Sequence, residues 1–293
     1  MSNSLEAIAT NQLKTILYKF TSNKYISVSI GIIITAIIQS SSATTVILIS
    51  LLNSQLISLT QATWIVFGAN IGTTITGLMI ALDLGQSAIY LVIFGFLLLL
   101  FKNKFIYFAH TIISLGLIFL SLDIMSLSLA PIQNSKYLIK IFTQLNNPIT
   151  SIIIGIIFTA IIQSSSASIG ILQTIYQKGF LDFSMATNVI YGLNIGTCAT
   201  ALIATINSNN NAKRLAYIQI LINLLGTLLF LIITNFIPIA TYIKTLSSNH
   251  MMQIAYMHTF FNIVSTITLL PFYNILIYLA YKIIPYNVKK ISK

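Results

Sequence analysis

TAIIQSSSAT, residues 35–44, recurs as TAIIQSSSAS at residues 159–168, each time inside a long apolar run. Without its glutamine and serines, either run would be typical of a membrane-spanning helix. The hydrocarbon core of a bilayer offers no water to such groups, so each needs a partner in the protein or in something that the protein carries. The fold must therefore provide partners for two groups of four polar residues inside the membrane.

The composition of the chain indicates a membrane protein. Of its 293 residues, 56% are hydrophobic and 6% are charged, and the mean hydropathy is +0.91, which excludes an ordinary soluble domain. Lysines in cytoplasmic loops explain the net charge of +11 without a nucleic-acid partner. The single cysteine, Cys198, excludes an internal disulfide. We therefore predict an all-α, polytopic membrane protein.

An internal repeat with a shift of 124 residues organises the chain. It aligns Gly31 with Gly155, the two QSSS quartets, and the NIGT motif at 70–73 with that at 194–197. Each copy contains an amphipathic stretch (1–24; 126–148), a QSSS segment (25–52; 149–176), a NIGT segment (60–82; 184–206) and a plainer span (86–101; 213–237). We predict membrane repeats at 1–104 and 105–244, and a C-terminal transmembrane segment with a basic tail at 245–293.

The first repeat has no counterpart to the apolar segment at 105–125, which leads the second repeat. Either the protein dispenses with this leading span or its true start lies upstream. Further along, the region 254–284 is apolar and contains Pro271, which removes a helix hydrogen bond and predicts a kink.

Each QSSS quartet divides its apolar run into pieces that are too short to cross a bilayer. A piece of about a dozen residues is roughly 18 Å long, against a hydrocarbon core of ~30 Å. Serine hydroxyls compete for backbone hydrogen bonds and so favour a break in the helix. We expect a re-entrant hairpin or a broken helix whose turn lines a cavity, with free N–H groups after the serines. Three full crossings in a complete repeat would give the two repeats inverted topology.

The NIGT motifs add more uncharged polar groups. Asn70 and Asn194 carry amides, and Gly72 and Gly196 permit close backbone approach or a positive φ. Small and hydroxyl residues often serve helix packing in membranes, but duplication together with QSSS favours a binding site. Paired broken helices at corresponding positions of two repeats indicate the midplane site of a transporter.

The two pairs of motifs resemble those of a known family. The pairs QSSSATT with GANIGTT, and QSSSASIGILQ with NIGTCATALIA, are similar to bacterial members of the type II sodium/phosphate cotransporter family. The resemblance extends to about Pro285. It implies inverted-topology repeats, sodium-coupled symport of inorganic phosphate, and a substrate site where the two QSSS turns meet.

Carried over by position, the substrate ligands would be Gln39, Ser40, Ser41, Ser42, Gln163, Ser164, Ser165, Ser166, Asn70 and Asn194. The candidate Na⁺ ligands are Ser41, Thr73, Ser165 and Thr197, because oxygen ligands suit a hard cation. His258, with Asn262 one turn later, would lie near the substrate path, although a purely structural histidine is an equal alternative.

The chain also departs from the family pattern. Members often have a glutamine before the second NIGT asparagine and a histidine at position 219, where this chain has Leu193 and Gln219. Leu193 cannot hydrogen-bond, so one polar contact is in doubt. We also expect no C-terminal domain that resembles phosphate-uptake regulators.

The motifs contain no charged residue that could balance a phosphate. Burying an isolated anion costs several kcal/mol even after relaxation, and each helix N-terminus supplies only about half a charge. Bound Na⁺ would supply the remainder, so each ion would bind better with the other present. We therefore predict Na⁺ as the coupling ion and no organic cofactor.

Charge bias predicts the orientation. Eleven lysines and arginines fall on one side and four on the other, which fixes the first side, with both termini, as cytoplasmic. The count is the same whether the QSSS segments are re-entrant or fully spanning, and the short half-helices favour the re-entrant form. We predict a multi-pass protein of the bacterial inner membrane, and leave a monomer and a homodimer open.

Three other functions are alternatives to symport. Phosphate export, or transport of another small oxyanion on the same fold, is the nearest alternative. An intramembrane serine hydrolase is remote, because the chain lacks G-x-S-x-G and carries duplicated serine triplets where one nucleophile would suffice. A channel or a non-transporting scaffold would show no transport driven by a sodium gradient. We therefore predict a transporter and not an enzyme.

Overall fold

The computed structural model describes residues 21–82, 85–100, 106–128, 131 and 134–285. Within these ranges all regular elements are helices, which confirms the all-α prediction. The first predicted amphipathic stretch, 1–24, lies outside the described residues except for its C-terminal end. In the first repeat the helices are α1 (Lys24–Ile38), α2 (Ser41–Asn53), α3 (Leu59–Gly72), α4 (Thr74–Ala81) and α5 (Gly85–Leu99).

Within the described residues, the second repeat contains helices at the same positions, with two more before them and one after them. Its elements are α6 (Ile106–Ser128), α7 (Lys136–Thr143), α8 (Pro148–Ile162), α9 (Ser165–Gln177), α10 (Phe183–Gly196), α11 (Cys198–Ala204), α12 (Asn210–Phe236) and α13 (Ile239–Thr245). The C-terminal part consists of α14 (His250–Leu269), a 3-10 turn (Leu270–Phe272) and α15 (Tyr273–Ile283). The 3-10 turn lies at Pro271, where a kink was predicted.

Five helical segments in the described ranges are long and apolar enough to cross a membrane. They are Leu59–Ala81, Ile106–Ile124, Phe183–Ala204, Asn210–Phe236 and His250–Ile283. Four apolar segments are shorter: Lys24–Ile38, Ser41–Asn53, Ala88–Leu99 and Pro148–Ile162. The half-helices that flank the first QSSS quartet belong to this shorter group, as their sequence lengths indicated.

The outer faces of α1 and α8 are apolar. Ile37 is 69% exposed and its repeat partner Ile161 is 76% exposed. Large apolar side chains that cover a surface in this way suit contact with lipid rather than water.

The two repeats have matching secondary structure. The helices α1 and α8 each contain 15 residues, α2 and α9 each contain 13, and α3 and α10 each contain 14. The repeated sequence therefore encodes the same local structure twice. The inverted relation of the two copies stays a prediction.

Glycines bring α1 against α3, and α8 against α10. A Cβ atom on Gly31 would lie 3.0 Å from the Cα of Gly68, and one on Gly155 would lie 3.0 Å from the Cα of Gly192. Gly72 and Gly196 permit the same close approach, and neither has a positive φ. Small residues that let two helix backbones touch are a common packing device in membranes.

Two long helices connect the repeats. The first half of α12, including Leu215 and Ile222, packs into a core shared with α2 and α3, whereas Phe230 near its end packs into the core of the second repeat. The helix α14 contacts α3 and α4 on one side and α9 and α10 on the other. Through these contacts, α12 and α14 connect the helices of the first repeat with those of the second.

Candidate functional site

Both QSSS quartets form the same sharp break. Gln39 and Gln163 end α1 and α8 in the left-handed conformation, each with φ 57°. Ser40 and Ser164 are extended and cap α2 and α9, and each hydroxyl accepts a hydrogen bond from the backbone N–H three residues later, at 3.1 and 3.2 Å. Serine capping explains why the helices break here. The predicted break is confirmed, and its re-entrant arrangement stays a prediction.

Each break leaves backbone N–H groups free. The first two N–H groups of α2 and α9 have no acceptor among the described residues; they belong to Ser41, Ser42, Ser165 and Ser166. A helix N-terminus with free N–H groups and a positive dipole end favours an anion.

Each QSSS turn meets the NIGT break of the other repeat. The Oγ1 of Thr73, between α3 and α4, lies 3.4 Å from the Oγ of Ser165. In the reciprocal direction, the hydroxyl of Thr200 in α11 donates to Ser42 Oγ at 3.1 Å. These contacts place polar residues of both repeats in one region of the molecule. The roles of these residues as ligands stay a prediction.

The two NIGT asparagines are joined through a third asparagine. Asn70 Nδ2 donates to Asn223 Oδ1 at 3.1 Å, and Asn223 Nδ2 donates to the backbone carbonyl of Asn194 at 2.9 Å. The side chain of Asn194 donates to the carbonyl of Ile190. All three asparagines are buried, so these bonds hold the two breaks in register.

Asn223 was not among the predicted site residues. A signal for it exists, because A-Y-I-Q at 216–219 with Asn223 and Thr227 recurs as A-Y-M-H at 255–258 with Asn262 and Thr266. The first of these two similar segments lies on α12, the helix that connects the two breaks. Gln219, where the resemblance led us to expect a histidine, accepts a hydrogen bond from Thr45 Oγ1 at 3.4 Å.

The glutamines of the two quartets differ in their surroundings. Gln39 is half-buried; its Nε2 donates to the carbonyl of Ala36 at 2.5 Å, and its Oε1 accepts from Thr76 Oγ1 at 2.8 Å. Gln163 is exposed, and its side chain makes no hydrogen bond with a described residue. Of the two glutamines predicted as ligands, therefore, Gln39 has two hydrogen-bond partners and Gln163 has none in the described part of the chain.

His258 is buried in α14, a helix that contacts both α3 and α4. On the same face of α14, Ala255 lies close to Gly77, and Thr266 Oγ1 donates to the carbonyl of Phe67 at 3.3 Å. His258 lies between these two contacts along α14. It is 3% exposed, and its ring makes no hydrogen bond with a described residue. The Nδ2 of Asn262 donates to the carbonyl of His258 at 2.9 Å.

The region of the breaks is electrically neutral apart from its helix ends. Arg214 lies at the start of α12, where its Nε donates to the carbonyl of Ile284. Within the described part of the chain no three His, Cys, Asp or Glu residues are grouped as a metal site would require. Leu193 is buried in the apolar core of the second repeat, so it supplies no polar group here. Hydroxyls, amides and N–H groups are the chemistry available.

An all-helical chain with spanning apolar segments and two polar breaks held together in its interior is a polytopic membrane protein. The sequence profile of the Na⁺/Pi-cotransporter family matches residues 1–127 and 129–267. The chain therefore belongs to this family, which confirms the resemblance seen in the motifs.

Three relatives illustrate the match. The chain is 30% identical to the uncharacterised protein YqeW of Bacillus subtilis, over 97% of this chain and 93% of that protein. It is 30% identical to "Putative inorganic phosphate export protein YjbB" of Salmonella typhimurium over 89% of this chain, which spans about half (48%) of that protein. It is 36% identical over 98 residues to sodium-dependent phosphate transport protein 2A of Rattus norvegicus, which is 31% of this chain and 15% of that protein. A comparison with solved structures finds no match.

Proposed function

We propose that this protein is a secondary active transporter that moves inorganic phosphate together with Na⁺ across the bacterial plasma membrane. The observation that carries the proposal is the reciprocal contact of the breaks, in which Thr73 meets Ser165 and Ser42 meets Thr200. Such an arrangement forms one binding region from two sequence repeats. Family membership and the name of the rat relative support phosphate and sodium as the cargo.

Phosphate would bind to the free N–H groups at the starts of α2 and α9 and to the hydroxyls of the serine triplets. Each helix end contributes about half a positive charge, which is less than the charge of one phosphate. The side chain of Gln163, which has no hydrogen-bond partner among the described residues, would supply a further donor. Because no charged side chain lies in these motifs, the site favours an anion that arrives with cations.

Na⁺ is the second cargo and would bind to hydroxyl oxygens beside the phosphate. The candidates are Ser41, Thr73, Ser165 and Thr197. Thr197 Oγ1 donates its proton to the carbonyl of Leu193 at 2.9 Å, so its lone pairs remain available to a cation. Cation and anion would then stabilise each other, and neither would bind well alone.

The test is uptake of radiolabelled phosphate into proteoliposomes with and without an inward Na⁺ gradient. We expect accumulation only with the gradient, and we expect Gln163→Ala and Ser165→Ala each to abolish it at normal expression. Ser121→Ala is the matched control, because this exposed serine of α6 bonds only to the carbonyl of Leu117. Wild-type uptake by both site variants would exclude the second QSSS turn from the site.

Export is the second candidate, because a relative that matches 89% of this chain is named as a phosphate exporter. The binding region would be the same, and only the direction of net flux would differ. Proteoliposomes loaded with phosphate and placed in an outward Na⁺ gradient test this direction. Rapid efflux together with no accumulation under the inward gradient would favour export over uptake.

A further inference from the structure

Gln173 of α9 is hydrogen-bonded to two other parts of the molecule. Its Nε2 donates to the carbonyl of Gly77 in α4 at 2.9 Å and to the carbonyl of Met251 in the first turn of α14 at 3.1 Å. The side chain is fully buried. A carbonyl oxygen only accepts, so the two bonds use both N–H groups of the amide and fix its orientation. One side chain of the second repeat is thereby bound to a helix of the first repeat and to the C-terminal part.

These bonds lie on the same face of α9 as a candidate Na⁺ ligand. Ser165, Ile169 and Gln173 are spaced four residues apart, which puts them on one side of the helix. Thr73 and Gly77 have the same spacing at the start of α4. The hydroxyls of Ser165 and Thr73 are 3.4 Å apart, and a Cβ on Gly77 would lie 3.2 Å from the Cγ2 of Ile169. We call these five residues the α4–α9 junction.

The amide of Gln173 is the strongest constraint on how the two helices of this junction align. Apolar contacts such as that of Ile169 are non-directional, whereas a hydrogen bond weakens steeply away from its preferred geometry. The Thr73–Ser165 pair, at 3.4 Å, is longer than the usual O–H···O distance and constrains the helices little. The buried oxygen of the Gln173 amide has no partner in the described part of the chain, a cost that calls for a compensating role.

The corresponding place in the first repeat has no such link. Gln173 corresponds to Ile49, and Gly77 corresponds to Ala201. Ile49 is buried in the apolar core that α2 shares with α3 and α12. The two junctions between repeats therefore differ, because one contains a buried amide bonded across the helices and the other contains an isoleucine.

The hydroxyl contacts of the two junctions differ as well. The counterpart of the hydroxyl pair in the α4–α9 junction is Thr197 with Ser41. Thr197 donates to a carbonyl of its own segment, and the hydroxyl of Ser41 makes no hydrogen bond with a described residue. In that junction Thr200 and Ser42 are in contact instead. Within the described ranges, the Thr–Ser pair is thus formed where the glutamine link is present and not where isoleucine replaces it.

The separation of the Thr73 and Ser165 hydroxyls suits one shared cation. Oxygen ligands of Ca²⁺, a hard cation of similar size to Na⁺, lie at about 2.3–2.6 Å, so two oxygens 3.4 Å apart can both contact one ion. We propose that Gln173 is a positioning residue that holds α4 against α9 and thereby makes Thr73 with Ser165, and not Thr197 with Ser41, the hydroxyl pair that binds Na⁺. This role rests on the proposed function as a Na⁺-coupled transporter.

The first test measures the geometry without transport. Thr73→Cys and Ser165→Cys are combined with Cys198→Ser, which removes the native thiol, and copper–phenanthroline oxidises the purified full chain. We expect a disulfide between the two introduced thiols. Adding Gln173→Met, which keeps an unbranched side chain but has no N–H, should slow its formation at least fivefold. Gln177→Met is the matched control, because Gln177 is exposed one turn further along α9 and bonds to no described residue. It should leave the rate unchanged.

The second test measures the Na⁺ dependence of phosphate uptake into proteoliposomes, without the cysteine substitutions. Gln173→Met should raise the half-saturating Na⁺ concentration at least fivefold and leave the maximal rate within twofold of the wild type. A residue that only stabilises the fold would lower the maximal rate, through loss of folded protein, and leave half-saturation unchanged. If Gln173→Met does not fold, Gln173→Asn, whose amide is one methylene short of the two carbonyls, provides the same comparison.

The outcomes separate the role of Gln173 from the proposed function. Absence of the disulfide in the parent pair, an unchanged rate with Gln173→Met, or a lower maximal rate at unchanged half-saturation would each overturn the proposal. If the wild type shows no Na⁺-driven uptake, the proposed function fails instead, and the disulfide rates alone decide whether Gln173 positions the pair.

Discussion

The two QSSS turns have the same sequence and the same backbone but different neighbours. Gln39 and Gln163 share the left-handed φ of 57°. Gln39 is tied to Ala36 and Thr76, whereas Gln163 is exposed and has no partner among the described residues.

The comparison shows which structural features the two sequence repeats share and which differ between them. The helix break depends on a capping serine and a left-handed residue, so both copies retain it. The partner of each glutamine depends on which helix lies opposite, and Thr76 and its counterpart Thr200 point to different partners. The amide of Gln39 is therefore hydrogen-bonded within the protein, whereas the amide of Gln163 has no partner among the described residues.

The largest expected effect comes from disrupting the glycine contacts between helices that both repeats share. Leucine at Gly155 would place its Cβ about 2.5 Å from the carbonyl oxygen of Val189, so Gly155→Leu should destabilise the protein by about 3 kcal/mol or more. Gly31→Leu should do the same in the first repeat if the two hairpins are equivalent. The thermal unfolding midpoint of the purified protein measures both.

Gly170→Ala is the control for these two variants. A Cβ at Gly170 meets only the Cδ1 of Ile80, at 3.4 Å, so stability should be unchanged or slightly raised. Equal tolerance of Gly155→Leu and Gly170→Ala would show that α8 and α10 do not pack as described.

The next effect concerns the bond between the repeats. Asn223→Leu removes the acceptor of Asn70 and the donor to the carbonyl of Asn194, and leaving these buried groups unpaired should cost about 2 kcal/mol. Asn235→Leu is the control, because this exposed asparagine near the end of α12 bonds only to the carbonyl of Leu231 in its own helix. A midpoint for Asn223→Leu at or above that of the control would exclude Asn223 as a bridge.

The smallest expected effect is on stability, and it tests whether Gln39 and Gln163 differ in their hydrogen bonds. Gln39→Ala loses two hydrogen bonds and should lower the free energy of unfolding by about 1 kcal/mol, since polar side-chain bonds in membrane proteins average ≈0.6 kcal/mol. Gln163→Ala loses none, and its stability should remain within ~0.5 kcal/mol of the wild type. Denaturation in a common detergent compares the pair. Equal losses in the two variants would mean that Gln163 has a partner too.

Much of the fold could be predicted from the sequence because its signals are local. The breaks at Ser40 and Ser164 follow from serine capping, and the interruption at Pro271 follows from a missing N–H. Helix lengths follow from the apolar runs. The close approach at Gly72 and Gly196 was one of two options, and only the packing of the helices chose it over a positive φ.

The composition of the candidate site was less accessible. The motif residues could be named from their duplication, but Asn223 lies on a different segment, and only its position between Asn70 and Asn194 shows its role.

By itself, the sequence determined that this is a helical membrane protein built from two copies of one broken-helix plan, because hydropathy, capping and proline act over a few residues. Only the tertiary structure decided that Ser165 meets Thr73, that Gln39 bonds to Thr76 while Gln163 has no partner within the described ranges, and that Asn223 joins the repeats. These outcomes depend on contacts between residues far apart in the chain, and a local pattern carries no information about which helix will lie opposite.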